Sequence, residues 1–433
     1  MRTLLDSIRN SSLVSRNILP KAKHAQYRDL SLLDFGTESL KAVVARREEN
    51  AIRILGYGFA STCGYSLDGD RAAILTLAVA AEEALTTAED HTTSGLGHKV
   101  VPDDAIFCLP ARFIRSQMIA LRQRRTDPTT PISAREVDRI RERANHLLRE
   151  QLSVRGDSNE TWEALAPTNG SVVFFVDGHP VSEAVGLKGK MLAASVLGIA
   201  VPFRIVDAVA TIAKRLEVAP NAMLAVPQSL AGLAPQREAI LVDVGHHGTN
   251  VSLIRHGALM ATIWWPQGGE HFTTSLARTF RCMPEHAEEL KRAYTGNLLS
   301  QEDVVLVKRA LERPVHDWFD SFVSALRTIA DEHRHNMSSL CPNEGETPSY
   351  YEGVLPGRIF ITGGGSLLPD LVSAVHSVET ATGIHFDRAV EVEALGHFLG
   401  VRRPSQPLLL NVPHHPLGEI LTSAIGLATS VTW

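Results

Sequence analysis

Apolar runs broken by polar turns predict strands and helices in alternation. Leu32-Leu33-Asp34-Phe35-Gly36-Thr37 reads as a buried strand ending in a small-residue turn. Leu40-Lys41-Ala42-Val43-Val44 resumes strand character, and Ile52-Arg53-Ile54-Leu55 follows a polar turn at 47–50. The alanine-rich residues 71–89 predict a helix, and 105–109 a short strand. Ser133, with Glu136 three residues on, opens a helix through a capping box and runs to about residue 151. Strands at 171–176 and 190–201 then lead to a helix at about 203–217.

An internal repeat organises these elements. The first strand is echoed 209 residues later by Leu241-Val242-Asp243-Val244-Gly245-His246. Residues 40–45 then correspond to 250–255, and 52–55 to 259–264. Two lobes that each open with strand, Asp-x-Gly, turn and strand imply a duplicated fold. The expected division is a basic segment at 1–30, a first lobe from 31–102, an inserted α+β subdomain at 103–215 and a second lobe at 216–433 whose chain returns to the first.

Composition narrows the classes. Of 433 residues, 44% are apolar and 21% charged, which excludes a largely disordered chain or a fibrous one. With 43 basic against 48 acidic residues the net charge is −5, which argues against nucleic acid as a partner. Cys63, Cys108, Cys282 and Cys341 are scattered, without metal-ligand spacing, and suit a reducing cytosol. The longest charge-free stretch, 218–236, holds Pro220, Pro227 and Pro235 and is a poor membrane span. Residues 1–30 carry a net +4 and place Leu4, Leu5 and Ile8 on one helical face. That segment reads either as a membrane-surface contact through residues 1–20 or as a solvated tail. The expected location is the cytoplasm, free or peripheral on the inner membrane.

The glycine of a strand-end Asp-x-Gly permits a sharp turn whose backbone N–H groups gather around phosphate oxygens. The carboxylate can hold hydrated Mg2+ beside them. The plainer alternative is two hairpins whose aspartates cap turns. Arg358-Ile359-Phe360-Ile361-Thr362-Gly363-Gly364-Gly365-Ser366 is a buried strand entering three glycines, where a flat ring or ribose can approach the backbone. Asp370 or Ser366 suits the start of the next helix. Glu288 and Lys291 lie three apart on a predicted helix, able to bracket a ribose and a base edge or to form an ordinary ion pair.

In this order the motifs resemble the actin-like ATPase superfamily and, within it, the bacterial cell-division FtsA family, with the pilus-assembly PilM family close behind. Cys108-Leu109-Pro110-Ala111-Arg112-Phe113, the stretches 176–180 and 185–189, and Gln267-Gly268-Gly269-Glu270-His271-Phe272 are similar to FtsA segments. The resemblance implies an α/β, two-lobed actin-like fold, a duplicated ribonuclease-H-like sheet with an inserted α+β subdomain, holding ATP and Mg2+ in its cleft. It assigns Asp34, Gly36 and Thr37 to the first phosphate loop. Asp243, Gly245, His246, His247, Gly248 and Thr249 go to the second. Glu288 and Lys291 go to ribose and adenine, and Gly363, Gly364, Gly365 and Ser366 to the nucleoside. Asp34 and Asp243 are the implied metal ligands.

Three departures shape the expected activity. FtsA-type second loops often read D-I-G-G-G-T-x-D, whereas this one places imidazoles at His246 and His247 and an amide at Asn250. A PilM-like pattern, with Thr249 at the later position, fits this loop better. Where many relatives carry a water-orienting glutamate this chain has Val226, and Gln228 is displaced by two, so slow or absent hydrolysis is expected. Residues 420–433 lack Lys and Arg and read as a last buried helix rather than a basic membrane anchor.

The resulting expectation is a nucleotide-gated, self-associating scaffold, with an FtsZ-like polymer and membrane division proteins as partners. The alternative is a PilM-like ring component recruited by a peptide from a pilus inner-membrane protein. A transition-metal site at His246-His247, His333-Arg334-His335 or His414-His415 is not expected, because no acid or helical spacing accompanies them in sequence. Gly56-Tyr57-Gly58 is too short for a dinucleotide fingerprint. The cluster Arg112, Arg115, Arg122, Arg124 and Arg125 reads as a solvated or partner-facing surface ahead of an RNA or phosphate site.

Overall fold

A computed structural model of the chain describes residues 28–153, 160–165, 172–338, 340, 353–381, 383–401 and 407–430. The basic segment 1–27 lies outside the described residues. The chain opens with an antiparallel meander, β1 (Arg28–Phe35), β2 (Ser39–Arg47) and β3 (Ala51–Ser61), whose inward positions are fully buried. α1 (Arg71–Leu96) starts where the Asp70 carboxylate accepts from the Ala73 amide at 2.9 Å. It packs so tightly on β3 that a Cβ at Gly56 would lie 2.1 Å from the Ala88 carbonyl. Gly56 is therefore a packing glycine. β4 (Asp104–Leu109) then lies parallel to β1.

An inserted layer follows. β5 (Arg115–Arg124), α2 (Ala134–Ser153), β6 (Trp162–Ala164), β7 (Val172–Val176), β8 (His179–Val181) and β9 (Met191–Pro202) build a separate sheet in the order β5-β9-β7-β8, with β6 also on β9. The capping box is present: the Glu136 amide donates to Ser133 Oγ at 3.3 Å, and the Ser133 amide to Glu136 Oε2 at 2.9 Å. The arginine cluster is divided among separate tasks. Arg125 is buried against Glu136, Arg115 stacks on Trp162, and Arg112 lies over Phe113. The insert also rests on the second lobe, where Ser116 Oγ donates to the Thr262 carbonyl at 3.5 Å and Phe175 meets His256 edge-on.

α3 (Phe203–Arg215) returns to pack on α1, β10 (Ala219–Ala225) pairs with β4, and α4 (Val226–Ala231) leads out of the first sheet. The second half repeats the plan: β11 (Ala239–Val244), β12 (Thr249–Arg255), β13 (Ala258–Trp265), α5 (Gly269–Phe280), α6 (Pro284–Thr295), α7 (Gln301–Ser338), β14 (Arg358–Thr362), α8 (Pro369–His376) and β15 (Glu391–Ala394). β16 (Leu408–Leu410) then pairs with β3, and α9 (Leu417–Ser430) packs on β1, β2 and β4.

The sheet orders carry the duplication. One runs β16-β3-β2-β1-β4-β10 and the other β13-β12-β11-β14-β15. Each aspartate-bearing strand sits centrally, with its hairpin partner on one side and a parallel strand on the other. This is the α/β, two-lobed arrangement expected from the repeat. The lobes are joined where α4 crosses α9. A Cβ at Gly426 would lie 2.4 Å from the Ser229 carbonyl, and Ser430 Oγ donates to the Gln228 carbonyl at 3.1 Å. Among the described residues no helix is long and apolar enough to cross a membrane.

Candidate functional site

The two Asp-x-Gly turns face each other between the lobes. In the first hairpin Asp34 pairs directly across from Lys41, and directly opposed residues share a face of the sheet. The Lys41 ammonium donates to Asp34 Oδ2 at 2.8 Å, and Ser423 Oγ of α9 donates to the same oxygen at 2.6 Å. Burial lowers the Lys41 pKa, but Asp34, by charge and hydrogen bond, and Asp243 outweigh it, so the net shift is upward. Burial pushes the Asp243 carboxyl up to about 7; Lys41 opposes this and Asp34 adds to it.

The turn backbones have a common logic. Thr62 Oγ1 donates to the Thr37 and Glu38 carbonyls at 2.8 and 3.0 Å. In the second turn the Gly245 carbonyl accepts from the Gly269 amide at 2.8 Å, and that of His246 from the Glu270 amide at 2.9 Å. A trans peptide points its N–H opposite its C=O. The next amides, Glu38 and Ser39 in one turn and His246 and His247 in the other, are thus turned away from those anchors. Such groups suit anionic oxygens. Gly268 keeps α5 close beneath the second turn, since a Cβ there would lie 2.4 Å from the Gly245 carbonyl.

Gly363 ends β14 with φ of 85°, a left-handed conformation, and a Cβ there would sit 2.4 Å from Asp243 Oδ1. A Cβ at Gly364 would meet nothing within 4 Å, which leaves open space beside the backbone. Ser366 Oγ donates to the Gly363 carbonyl at 2.7 Å and so shapes this turn. Neither Ser366 nor Asp370 caps the next helix. α8 begins at Pro369 after Leu368, and Asp370 accepts from the Tyr294 hydroxyl at 2.8 Å, because a first-helical-position proline already fixes the backbone entry.

Glu288 and Lys291 share one face of α6 at 2.7 Å. Lys291 also donates to the Gly269 carbonyl and Thr273 Oγ1, and Glu288 accepts from Thr273 and Arg292. Burial resists ionisation of Glu288, but the charge of Lys291 and the three donors pull its pKa to about 2. A ligand here would exchange with these partners.

Two loop residues are committed elsewhere. Thr249 Oγ1 donates to the Gln267 carbonyl at 2.7 Å and accepts from Trp318 Nε1 at 2.8 Å, so its side chain is structural. The Asn250 amide donates to Thr262 Oγ1 and the Ile263 carbonyl. The Gln228 side chain accepts from the Ala225 amide at 3.0 Å, tying it to the start of α4.

His246 and His247 sit side by side at the mouth of the cleft, ring centroids 4.9 Å apart. His246 Nδ1 lies 3.4 Å from Glu38 Oε2 of the opposite lobe, and Arg292 reaches Glu38 Oε1 at 2.9 Å. Burial lowers the His246 pKa; Glu38 opposes and His247 reinforces this. His247 Nε2 lies 3.6 Å from Glu270 Oε2. Acids therefore do accompany this histidine pair, contrary to the sequence expectation, because they arrive from distant segments. Lys41, Glu38, Ser423, Glu270 and Arg292 were not singled out from sequence as members of the cleft.

Buried Asp34 and half-buried Asp243 have one ammonium near them, held by Asp34, which leaves negative charge for a divalent cation to balance. Turned-out amides and the space at Gly364 are compatible with phosphate and ring.

Comparison with known proteins bears on the fold. Residues 240–409, which include Asp243, Glu288, Lys291 and Gly363 but not Asp34, match the family "Cell division protein FtsA". A cell division protein FtsA of Pseudomonas aeruginosa is 26% identical over 141 residues, 32% of this chain and 33% of that protein. The aligned part thus spans a third of that relative's length. A solved structure of a PilM-PilN type IV pilus biogenesis complex superposes with a TM-score of 0.59 at 17% identity, over 92% of this chain and 97% of that one. With its duplicated sheets and these matches, the chain has an actin-like fold, and its residues 240–409 are similar to the FtsA family.

Proposed function

We propose that this protein binds ATP with Mg2+ between its lobes and acts as a nucleotide-gated scaffold rather than as a fast hydrolase. The observation that carries the reading is the approach of the hydrogen-bonded Asp34–Lys41 pair to Asp243 of the other lobe, near enough for their charges to act on its carboxyl. Asp243, and Asp34 through water, would hold Mg2+, which neutralises phosphate charge when bound. The amides after Thr37 and Gly245 would cradle phosphates, Gly363 to Ser366 would receive the nucleoside, and Glu288 with Lys291 would take the ribose and adenine. Val226 offers no group to align water, and Gln228 is held at its own helix start.

Ligand binding shifts the lobes only by its differential affinity for open and closed shapes. The biological reading is FtsA-like: a closed form that self-associates and links a cytoskeletal, FtsZ-like polymer to membrane-associated division proteins. The match of residues 240–409 supports it. The second reading is a PilM-like ring component engaging a peptide of a pilus inner-membrane protein. It is favoured by the second turn, whose His246-His247-Gly248-Thr249 departs from the FtsA pattern.

The test is a titration of fluorescent ATP with and without Mg2+, repeated in Asp34→Ala after checking its melting curve. Saturable, Mg2+-dependent binding weakened by the substitution is expected, with phosphate release near background. No binding at any Mg2+ level would overturn the proposal. Midcell bands or polar foci of a tagged protein separate the two biological readings.

A further inference from the structure

We propose that His246, His247 and Glu270 form a binding site for a borderline divalent cation, zinc above all, with Glu38 of the opposite lobe as the fourth ligand. One ligand atom from each of His246, His247 and Glu270 lies within 4.8 Å of the others. Tetrahedral zinc with bonds near 2.0 Å needs ligand atoms about 3.4 Å apart. Glu38 Oε2 is already 3.4 Å from His246 Nδ1, and Glu270 Oε2 is 3.6 Å from His247 Nε2. Glu38 stands outside that group of three and has to swing inward to join it, and none of the four side chains is fully buried, so the ion has an entry path.

The support around these ligands separates the cluster from a chance meeting of surface side chains. The Glu270 amide donates to the His246 carbonyl at 2.9 Å, which locks the helix start carrying one ligand to the turn carrying two. Glu38 uses Oε1 for Arg292 at 2.9 Å and directs Oε2 at His246. A carboxylate oriented by arginine through one oxygen and free to ligate through the other is the support a metal ligand needs. Two imidazoles with carboxylates suit zinc, whereas magnesium prefers oxygen and retained water. The neighbouring Lys291 and the positive end of α5 oppose a cation, so moderate affinity is expected.

The ligands come from both lobes. A bound ion would fasten the β1–β2 turn to the β11–β12 turn at the cleft mouth, a closure independent of the nucleotide reading. Accordingly it is tested without nucleotide. The full chain, stripped with chelator, is titrated with Zn2+ by calorimetry and with Co2+ by visible absorption. One ion per chain and an intense four-coordinate Co2+ spectrum are expected, without the near-ultraviolet band that a cysteine thiolate would add. His247→Ala should weaken Zn2+ at least about a hundredfold and Glu38→Gln about tenfold. His246→Gln is the second variant in the same β11–β12 turn should His247→Ala fail to fold, as judged by its melting curve. Absence of Zn2+ binding, a thiolate band, or full affinity in the folded histidine variants would overturn the site. Unchanged affinity in Glu38→Gln would overturn the link between lobes.

Discussion

The two hairpins that open the lobes have the same strand order, yet their aspartates live differently. Asp34 finds its counter-charge within its own hairpin, because the residue opposite is Lys41. Asp243 stands opposite Asn250, whose amide is turned to Thr262 and Ile263, so its own hairpin supplies no counter-charge and only the charge of Lys41 acts on it from the other lobe. One carboxylate is satisfied and the other is pushed up to about 7. Lysine opposite one aspartate and asparagine opposite the other leave a cleft with a fixed side and a side short of positive charge.

Removing the satisfied aspartate should give the largest effect. Asp34→Ala strands Lys41 and should cost about 3 kcal/mol of stability, measured by chemical denaturation. Asp243→Asn, by contrast, should leave the ligand-free fold at least as stable; a comparable loss in both would erase the distinction. Next, Gly268→Ala forces the second turn off α5 without touching a charge, at a cost of about 2 kcal/mol, and should weaken fluorescent ATP more than tenfold.

A third test concerns Glu419 in the first turn of α9, the helix that supplies Ser423 to Asp34. Burial pushes its carboxyl up to about 7. Its raised pKa means the folded state holds the proton more tightly than the unfolded chain does. The charge penalty is absent below pH 4.5, grows as pH rises, and is complete above 7. Glu419→Gln should therefore stabilise the protein by about 2 kcal/mol at pH 8 and by nothing at pH 4, read from melting curves at both values. The smallest effect belongs to Arg292→Ala. Its exposed contact with Glu38 should contribute no more than about 0.5 kcal/mol to thermal stability.

Both meanders were legible because buried strands leave continuous apolar runs, and the repeat of Asp34 at Asp243 carried the duplication with them. The helix from Ser133 was readable through its capping box. What escaped was long-range. Lys41 carried a usable signal, since a tight hairpin after Asp34 fixes its register, but Ser423 is 389 positions away and no local pattern points to it. Glu38, Glu270 and Arg292 look like ordinary surface charges until the lobes bring them to His246 and His247. Thr249 misled in the opposite sense: its place in the turn suggested phosphate, whereas Trp318 on α7 claims its hydroxyl.

The crossing of α4 and α9 sets how the halves can move. Where Gly426 admits the Ser229 carbonyl and Ser430 grips the end of α4, the two backbones cannot part without breaking contacts along both helices. A movement of the lobes that keeps those contacts has to be a torsion about that point. The jaws of this molecule are thus built to turn like a pair of scissors on a rivet, and a bulkier residue at position 426 would loosen the rivet before it blunted either blade.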